Sequence, residues 1–268
     1  MEATVFNRFR QIVYERSGIT LGPQKEALVS SRVGKRMRAL GLSDYGDYLR
    51  CLDEDVSGEE YIHLIDAIST NVTSFFREPQ HFEFLSGLLQ QWMAAGQRRF
   101  RLWSAASSSG EEPYSMAATA LETLGRQSAD IKILATDIST KVLRQCMKGV
   151  YRADKFSTVS PEVRERYFEP VMQGDELGYS VKPALRNITV FRSLNLSRPP
   201  FPMKGPLDAV FCRNVMIYFD NNVRKGLLDE IYRLLRPGGY LMVGHAESLT
   251  GMVSNFKSVR PSIYTKPD

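Results

Sequence analysis

The run Leu102-Trp103-Ser104-Ala105-Ala106-Ser107-Ser108-Ser109-Gly110-Glu111-Glu112-Pro113-Tyr114-Ser115 constrains this chain more than any other stretch. An apolar, β-rich segment enters a turn of Ser, Ala and Gly, and two carboxylates and a proline open the helix that follows. Pro113 suits a first helical turn, where a missing N–H costs nothing, and side chains this small let a ligand lie against bare backbone. The segment reads as a ligand cradle at a strand-to-helix turn. Phosphate cradles carry Lys, Arg or only Gly here, because helix N-termini and basic groups attract anions. Two acids favour a cationic or hydroxyl-rich ligand instead.

The same alternation of strand and helix runs on from about Phe100. Phe100–Ser104, Ile131–Thr136, Ile188–Arg192, Leu207–Cys212 and Tyr240–Gly244 are short β-rich runs, with helical stretches such as Ser115–Leu124 and Val223–Leu235 between them. That order predicts a mostly parallel sheet covered on both faces. More sequence separates Asp137 from Ile188 than one crossover helix needs, and Tyr167–Leu185, with Gly174, Gly178 and alternating Tyr179 and Val181, reads as a small β insertion. Leu234-Leu235-Arg236-Pro237-Gly238-Gly239-Tyr240 reads as a helix end, a turn and a late strand. Up to about Thr70 the pattern is helical throughout. Phe6, Phe9, Ile12 and Val13 share a face, as do Val29, Val33, Met37 and Leu40, and Gly41 supplies a stop. Asp44–Leu52, with Ser43 as its N-cap, and Glu59–Ile68 are two further helices.

Composition excludes several classes. No run of about 18 apolar residues occurs and the start lacks a basic segment before an apolar one, so neither a membrane span nor a signal peptide is expected. The 3 cysteines, Cys51, Cys146 and Cys212, form no CxxC pair, which favours reduced thiols in a cytoplasm. The 3 histidines, His63, His81 and His245, lie far apart in sequence without metal-ligand spacing, so no metal is expected. A net charge of +5 suits an acidic partner, nucleic acid or protein alike.

In open parallel sheets, ligands sit at the carboxyl ends of the strands near the point where strand order reverses. Three such tips are chemically loaded: the Ser-Ala-Gly turn, Asp137 after the second strand, and Cys212-Arg213-Asn214 after Leu207–Phe211. An acid in the place of Asp137 commonly accepts both ribose hydroxyls of a nucleoside, although it can equally cap the helix that starts near Ser139. Together they describe a nucleoside pocket.

The Pro-Gly-Gly turn and the acid after the second strand resemble the class I S-adenosylmethionine-dependent methyltransferases. Asn71-Val72-Thr73-Ser74-Phe75-Phe76-Arg77-Glu78, the Ser104–Ser115 turn, Ala135-Thr136-Asp137-Ile138 and Phe211-Cys212-Arg213-Asn214-Val215-Met216-Ile217-Tyr218-Phe219-Asp220 resemble the motifs of the CheR family of chemoreceptor protein-glutamate methyltransferases. The similarity covers nearly the whole chain in order. It implies a Rossmann-like α/β methyltransferase domain over 85–268 with a β-subdomain at about 165–187, an all-α domain over 1–70, and a linker over 71–84 that contributes to the cofactor site. The implied reaction moves a methyl group from S-adenosylmethionine to receptor glutamates, giving γ-glutamyl methyl esters and S-adenosylhomocysteine.

Residue by residue, the resemblance implies cofactor contacts at Asn71, Thr73, Arg77, Glu112, Asp137, Asn195, Leu196, Arg213 and Asn214, and a methyl-transfer pair of Arg77 and Tyr218. Adjacent positions at a helix start do not by themselves choose between Glu111 and Glu112; the match favours Glu112. Arg77 can orient the substrate carboxylate or hold the cofactor's own, and Tyr218 can instead be a tyrosine packed under the sheet. Phe75 and Phe76 read as packing, and Asn71 can be a helix cap. On the helix Gln24–Leu40, Arg32, Lys35, Arg36 and Arg38 lie off the apolar stripe; a solvated face is the plain reading, and the resemblance implies docking against acidic receptor helices. Some family members hold a receptor's C-terminal tether at an edge of the β-subdomain, which makes that edge a possible second contact. The chain is expected to be a cytoplasmic monomer, without membrane insertion and without nucleic acid. The rival readings are a nucleic-acid methyltransferase, whose [DN]-P-P-[YF] signature is replaced here by Arg213-Asn214-Val215-Met216, and a noncatalytic adaptor that senses the cofactor.

Overall fold

The computed structural model describes residues 1–69, 71–125, 129–249, 251 and 254–268. Thr70, the expected end of the helical domain, lies outside the described residues.

Four helices form the N-terminal unit: α1 (Ala3–Ser17), α2 (Glu26–Ala39), α3 (Tyr45–Glu54) and α4 (Glu59–Ile68). The 3.6-residue spacing of Phe6, Phe9, Ile12 and Val13 on α1, and of Val29, Val33 and Met37 on α2, turns both stripes into one core with Tyr48, Leu52 and Leu64. α1 stops at Gly18, whose φ of +72° admits glycine without strain and directs its N–H to the Tyr14 carbonyl. The N-cap of α3 is Asp44 rather than Ser43: its carboxylate accepts from the N–H groups of Gly46 and Asp47 at 2.8 and 3.2 Å. Both residue types can cap; the one nearer the first turn does so.

The basic helix is less free than its sequence suggests. Arg36 donates from Nε and Nη2 to both oxygens of Glu60 at 2.8 and 2.5 Å, and the buried Tyr48 hydroxyl donates to the same carboxylate at 2.7 Å. Arg32 reaches across to the C-terminal end of α4 and satisfies the carbonyls of Ala67, Ile68 and Ser69. Two of the four expected docking residues therefore hold the helical unit together, which corrects their reading as a solvated face. Lys35 and Arg38 are exposed, and among the described residues neither has an ion-pair partner.

The remaining chain builds a seven-stranded sheet. After α5 (Gln80–Ala94), a helix that crosses the expected boundary between linker and methyltransferase domain, come β1 (Arg99–Ser104), α6 (Glu111–Leu124), β2 (Asp130–Asp137) and α7 (Thr140–Lys148). An insertion follows with β3 (Val150–Arg152), α8 (Pro161–Tyr167), β4 (Phe168–Gln173), β5 (Glu176–Val181) and α9 (Pro183–Arg186). The chain then returns through β6 (Thr189–Ser193), β7 (Leu207–Cys212), α10 (Asn221–Leu234), β8 (Leu235–Val243), β9 (Lys257–Arg260) and β10 (Ile263–Thr265). Strand order is β6-β2-β1-β7-β8-β10-β9. The first five are parallel and the last two antiparallel. Period-2 alternation sends Phe100, Leu102, Ala209 and Phe211 into one covering layer and Trp103, Val210 and Cys212 into the other.

Three expectations change. The three-stranded antiparallel sheet, ordered β3-β5-β4, includes Val150–Arg152, so the insertion begins well before residue 165. A three-residue strand is too short to leave a pattern. The Pro237-Gly238-Gly239 turn is a bulge within β8, because Leu235 pairs with Leu207 and Tyr240 already pairs with Ala209. The C-terminal hairpin β9–β10 was not expected, and its outer strand is exposed along its length.

The buried Arg36–Glu60–Tyr48 network gives a measurable consequence. Arg36→Met leaves a largely buried carboxylate without its cation and should cost about 2–4 kcal/mol in urea denaturation, whereas Lys35→Met and Arg38→Met should each stay within about 0.5 kcal/mol.

Candidate active site

Strand order reverses between β1 and β7, and the carboxyl ends of these two strands open onto one cleft. The turn after β1 is pinned by backbone bonds from Ala105 N–H to the Phe211 carbonyl, from Ser107 N–H to the Thr136 carbonyl, and from Gly110 N–H to the Ser107 carbonyl, at 2.8, 2.8 and 2.9 Å. Gly110 has φ +102°, and a Cβ there would meet the Tyr151 hydroxyl at 2.5 Å and Cys146 Sγ at 3.1 Å. Only glycine fits. Asp137, at the tip of β2, accepts from the Ser108 N–H at 2.8 Å and the Ser139 N–H at 2.9 Å, so its carboxylate is fixed and directed along the turn. The helix cap after β2 is Ser139, which answers the alternative reading of Asp137. Burial pushes the Asp137 carboxyl up to about 6 against those stabilising N–H groups.

Arg213, immediately after β7, organises the floor. Its side chain is 1% exposed and donates from Nη1 to Glu112 Oε2 and from Nη2 to Glu78 Oε2, each at 3.0 Å, with a further bond to the Arg77 carbonyl. Ser104 Oγ donates to the other oxygen of Glu112 at 2.7 Å. Burial raises Glu112 above the ordinary carboxylate range, and Arg213 only partly offsets that. At Glu78 burial also opposes ionisation, but the charge and hydrogen bond of Arg213 outweigh it and the carboxyl sits low. His81, buried behind this group, is pushed down to about 4 by burial and by Arg213, so its ring is neutral at pH 7. Glu111 faces elsewhere, accepting from Ser109 Oγ at 2.6 Å with Lys155 Nζ at 3.7 Å. Of the two adjacent acids it is Glu112 that borders the cleft.

The backbone here is strained. Among the described residues five that are not glycine have positive φ, and Phe76, Glu78, Ser108 and Asn214 are four of them, each at a cost of about 1–2 kcal/mol. Their packing holds them there. Phe75 is fully buried against Tyr151, Phe156 and Phe168, with ring centroids 5.1, 4.9 and 5.4 Å away, so its packing role is clear. The Phe76 N–H bonds Ser115 Oγ at 3.0 Å, and the segment from Asn71 to Arg77 is thereby laid along the cleft.

All of the residues singled out for cofactor or methyl transfer border this one cleft. Asn71, Thr73 and Arg77 come from the linker, Glu112 and Asp137 from the first two strand tips, and Asn195, Leu196, Arg213, Asn214 and Tyr218 from the far half of the sheet. Asn195 is already engaged: its amide donates to the Arg16 carbonyl at 2.7 Å and accepts from Ser197, which leaves its side chain as a tie to α1. Among the described residues the Arg77 guanidinium makes one hydrogen bond, from Nη1 to its own loop at the Val72 carbonyl, at 3.0 Å. Tyr218 lines the cleft, and among the described residues its hydroxyl has no partner. Sequence reasoning missed a whole wall. Ser17 at the end of α1 and Ile19, Thr20 and Leu21 just beyond it close the cleft from the helical side, and Thr20 N–H bonds the Tyr218 carbonyl at 2.8 Å. It also missed Glu247, which accepts from the N–H groups of Asn214, Gly244 and Ile217 at 2.6, 2.7 and 3.2 Å and so fixes the loop carrying Tyr218.

Residues 71–265 match the family described as CheR methyltransferase, SAM binding domain, and residues 4–69 match CheR methyltransferase, all-alpha domain. The chain is 39% identical to a chemotaxis protein methyltransferase of Salmonella typhimurium, over 97% of this chain and 88% of that one. It is 38% identical to one of Escherichia coli, over 97% and 89%. Among solved structures it is similar to a glycopeptide N-methyltransferase complexed with sinefungin, at 16% identity and a TM-score of 0.38, over 64% of this chain and 50% of the other. The cofactor is S-adenosylmethionine. The cleft suits it: fixed acids at Glu112 and Asp137 match a cationic, hydroxyl-bearing nucleoside, and Ser108 Oγ is buried beside them without a hydrogen-bond partner among the described residues.

An Asp137 that receives the ribose hydroxyls must be ionised to accept both. With its carboxyl near 6, affinity for S-adenosylhomocysteine should be flat above pH 7 and fall about tenfold by pH 5, while Asp137→Asn binds more weakly with most of that slope gone. Calorimetry across the range checks this. Arg213→Lys should lose cofactor affinity too, since an ammonium cannot span Glu78 and Glu112 as the guanidinium fork does.

Proposed function

This chain belongs to the CheR methyltransferase family, and from that premise we propose that it methylates glutamate side chains on the cytoplasmic helices of chemoreceptors. The products are γ-glutamyl methyl esters and S-adenosylhomocysteine. The observation that carries this reading is the pair Arg77 and Tyr218, two polar side chains on the same cleft as Asp137 whose donors, among the described residues, are not spent on other side chains.

S-adenosylmethionine, when bound, supplies a methyl group on a sulfonium, and its transfer breaks the carbon–sulfur bond with the electron pair going to sulfur while a carboxylate oxygen forms the new bond to carbon. The nucleophile needs no base, because a glutamate carboxyl near 4.3 is already ionised at neutral pH. What the protein must supply is alignment and exclusion of water, which can be worth several kcal/mol. Arg77 keeps most of its five donors for a carboxylate, and the Tyr218 hydroxyl can add one hydrogen bond to the same group. A carboxylate held bidentately by Arg77 is well placed but less nucleophilic, so a single bond from each side serves the reaction better. Arg213 cannot take this part, since Glu78 and Glu112 occupy it. The wall from Ser17 to Leu21 limits water. On the outer surface Lys35 and Arg38 supply the charge for acidic receptor helices, and the edges of the three-stranded sheet at β3 and β4 supply a strand to which a receptor tether can add.

Radiolabelled methyl transfer to receptor-containing membranes tests the reading. Tyr218→Phe should lower turnover about tenfold or more with S-adenosylhomocysteine affinity unchanged, and Arg77→Ala should lower it at least a hundredfold. If Arg77→Ala loses affinity for S-adenosylhomocysteine by the same factor, that guanidinium holds the cofactor rather than the substrate. The double reversal Lys35→Glu with Arg38→Glu should raise KM for receptor several-fold without touching cofactor affinity. Label that is stable to base, or that enters nucleic acid instead of protein, would sink the proposal.

A further inference from the structure

Two of the three histidines, distant in sequence, meet in the fold. The ring centroids of His81 and His245 are 5.2 Å apart with planes at 71°, and Glu78 sits between them. His81 Nδ1 lies 3.5 Å and His245 Nε2 3.9 Å from Glu78 Oε2, and one ligand atom from each of the three residues falls within 4.8 Å of the others. None of the three borders the cleft.

We propose that Glu78, His81 and His245 form a binding site for a divalent transition-metal ion of the zinc type, beside Arg213. A tetrahedral ion with bonds of about 2.0–2.1 Å holds its ligand atoms roughly 3.3–3.5 Å apart. Glu78 and His81 already stand at that spacing. His245 is 51% exposed and needs only a small rotation to close the third side, with the fourth position left for water.

An independent observation points the same way. His81 is 1% exposed, and among the described residues neither of its ring nitrogens has a hydrogen-bond partner. An orphaned buried donor or acceptor costs about 1–3 kcal/mol, and a buried group left so in a native protein calls for a water or an ion. The ligand set suits the ion: Glu78 supplies a carboxylate oxygen beside the two imidazoles. Imidazoles in the ligand set select zinc-type ions over magnesium or calcium, which prefer oxygen alone. Sequence spacing hides the site because its members come from the linker, α5 and the loop after β8.

Titration of the full-length, metal-free protein with Co²⁺, followed by displacement with Zn²⁺ against a chromophoric chelator, tests the assignment. The expected result is one saturable equivalent whose visible spectrum shows nitrogen and oxygen ligation without a thiolate charge-transfer band. His245→Ala, at a half-exposed position, should weaken Zn²⁺ binding about tenfold or more. His81→Ala should do the same, and should it misfold, His245→Ala alone decides. Cys51→Ser with His63→Ala, both on a separate acidic groove of the helical unit, should change nothing. Absence of saturable binding would overturn the proposal and leave water as the partner of His81. Binding that follows Cys51 and His63, or that survives His245→Ala at full strength, would overturn it as an adventitious surface site.

Discussion

Arg213 joins three parts of the chain that are remote in sequence. Its guanidinium holds Glu78 from the linker, Glu112 from the first strand-to-helix turn and the carbonyl of Arg77, all from a position directly after β7. Burying either carboxylate without that cation would cost several kcal/mol, so linker, cradle and fourth parallel strand are bound to move together. The arrangement also explains why Arg213 sits over Phe82 and Phe211, at 5.6 and 5.7 Å: the flat guanidinium can be covered by rings while its edges remain hydrogen-bonded. Strain at Glu78 and Asn214 follows from the same convergence, because their backbones must turn sharply to present side chains to one point.

The helical unit is a wall of the site as well as a neighbour. α1 ends at Gly18, and the chain beyond it pairs Ile19 with Phe219 and bonds Thr20 to Tyr218. Tyr14 donates to Asp220 at 2.6 Å and Asn195 donates to Arg16, so the end of α1 is tied to the loops after β6 and β7. A Cβ at Gly18 would meet Ser197 Cβ at 2.4 Å and Val223 Cγ1 at 3.2 Å, so only glycine allows this approach. The position of the Tyr218 main chain is therefore set from two sides, by Thr20 of the helical unit and by Glu247 below, which holds Ile217.

Much of this was legible in the residues. The alternation of β-rich and helical runs gave the parallel sheet, because strand and helix periods differ enough to be told apart. The loaded strand tips gave the cleft, because a parallel sheet brings the carboxyl ends of its strands to one edge. Short or exposed elements were not legible. Val150–Arg152 and the hairpin β9–β10 carry too few alternating residues to signal a strand. Nor could spacing reveal how charges would be spent. Arg32 and Arg36 look on a helical wheel like Lys35 and Arg38, yet α4 supplies carbonyls to one and Glu60 to the other.

By itself the sequence determined the class of fold, the cradle of small residues and the family, since these rest on local pattern and on the chemistry of neighbouring positions. Only the tertiary structure decided that Glu112 rather than Glu111 faces the cleft, that Asn195 is a tie to α1, and that His81 meets His245 beside Glu78. Those outcomes depend on which segments lie across from one another. Contacts between distant segments are set by how the layers pack, and nothing in the order of residues along one segment records what will be placed opposite it.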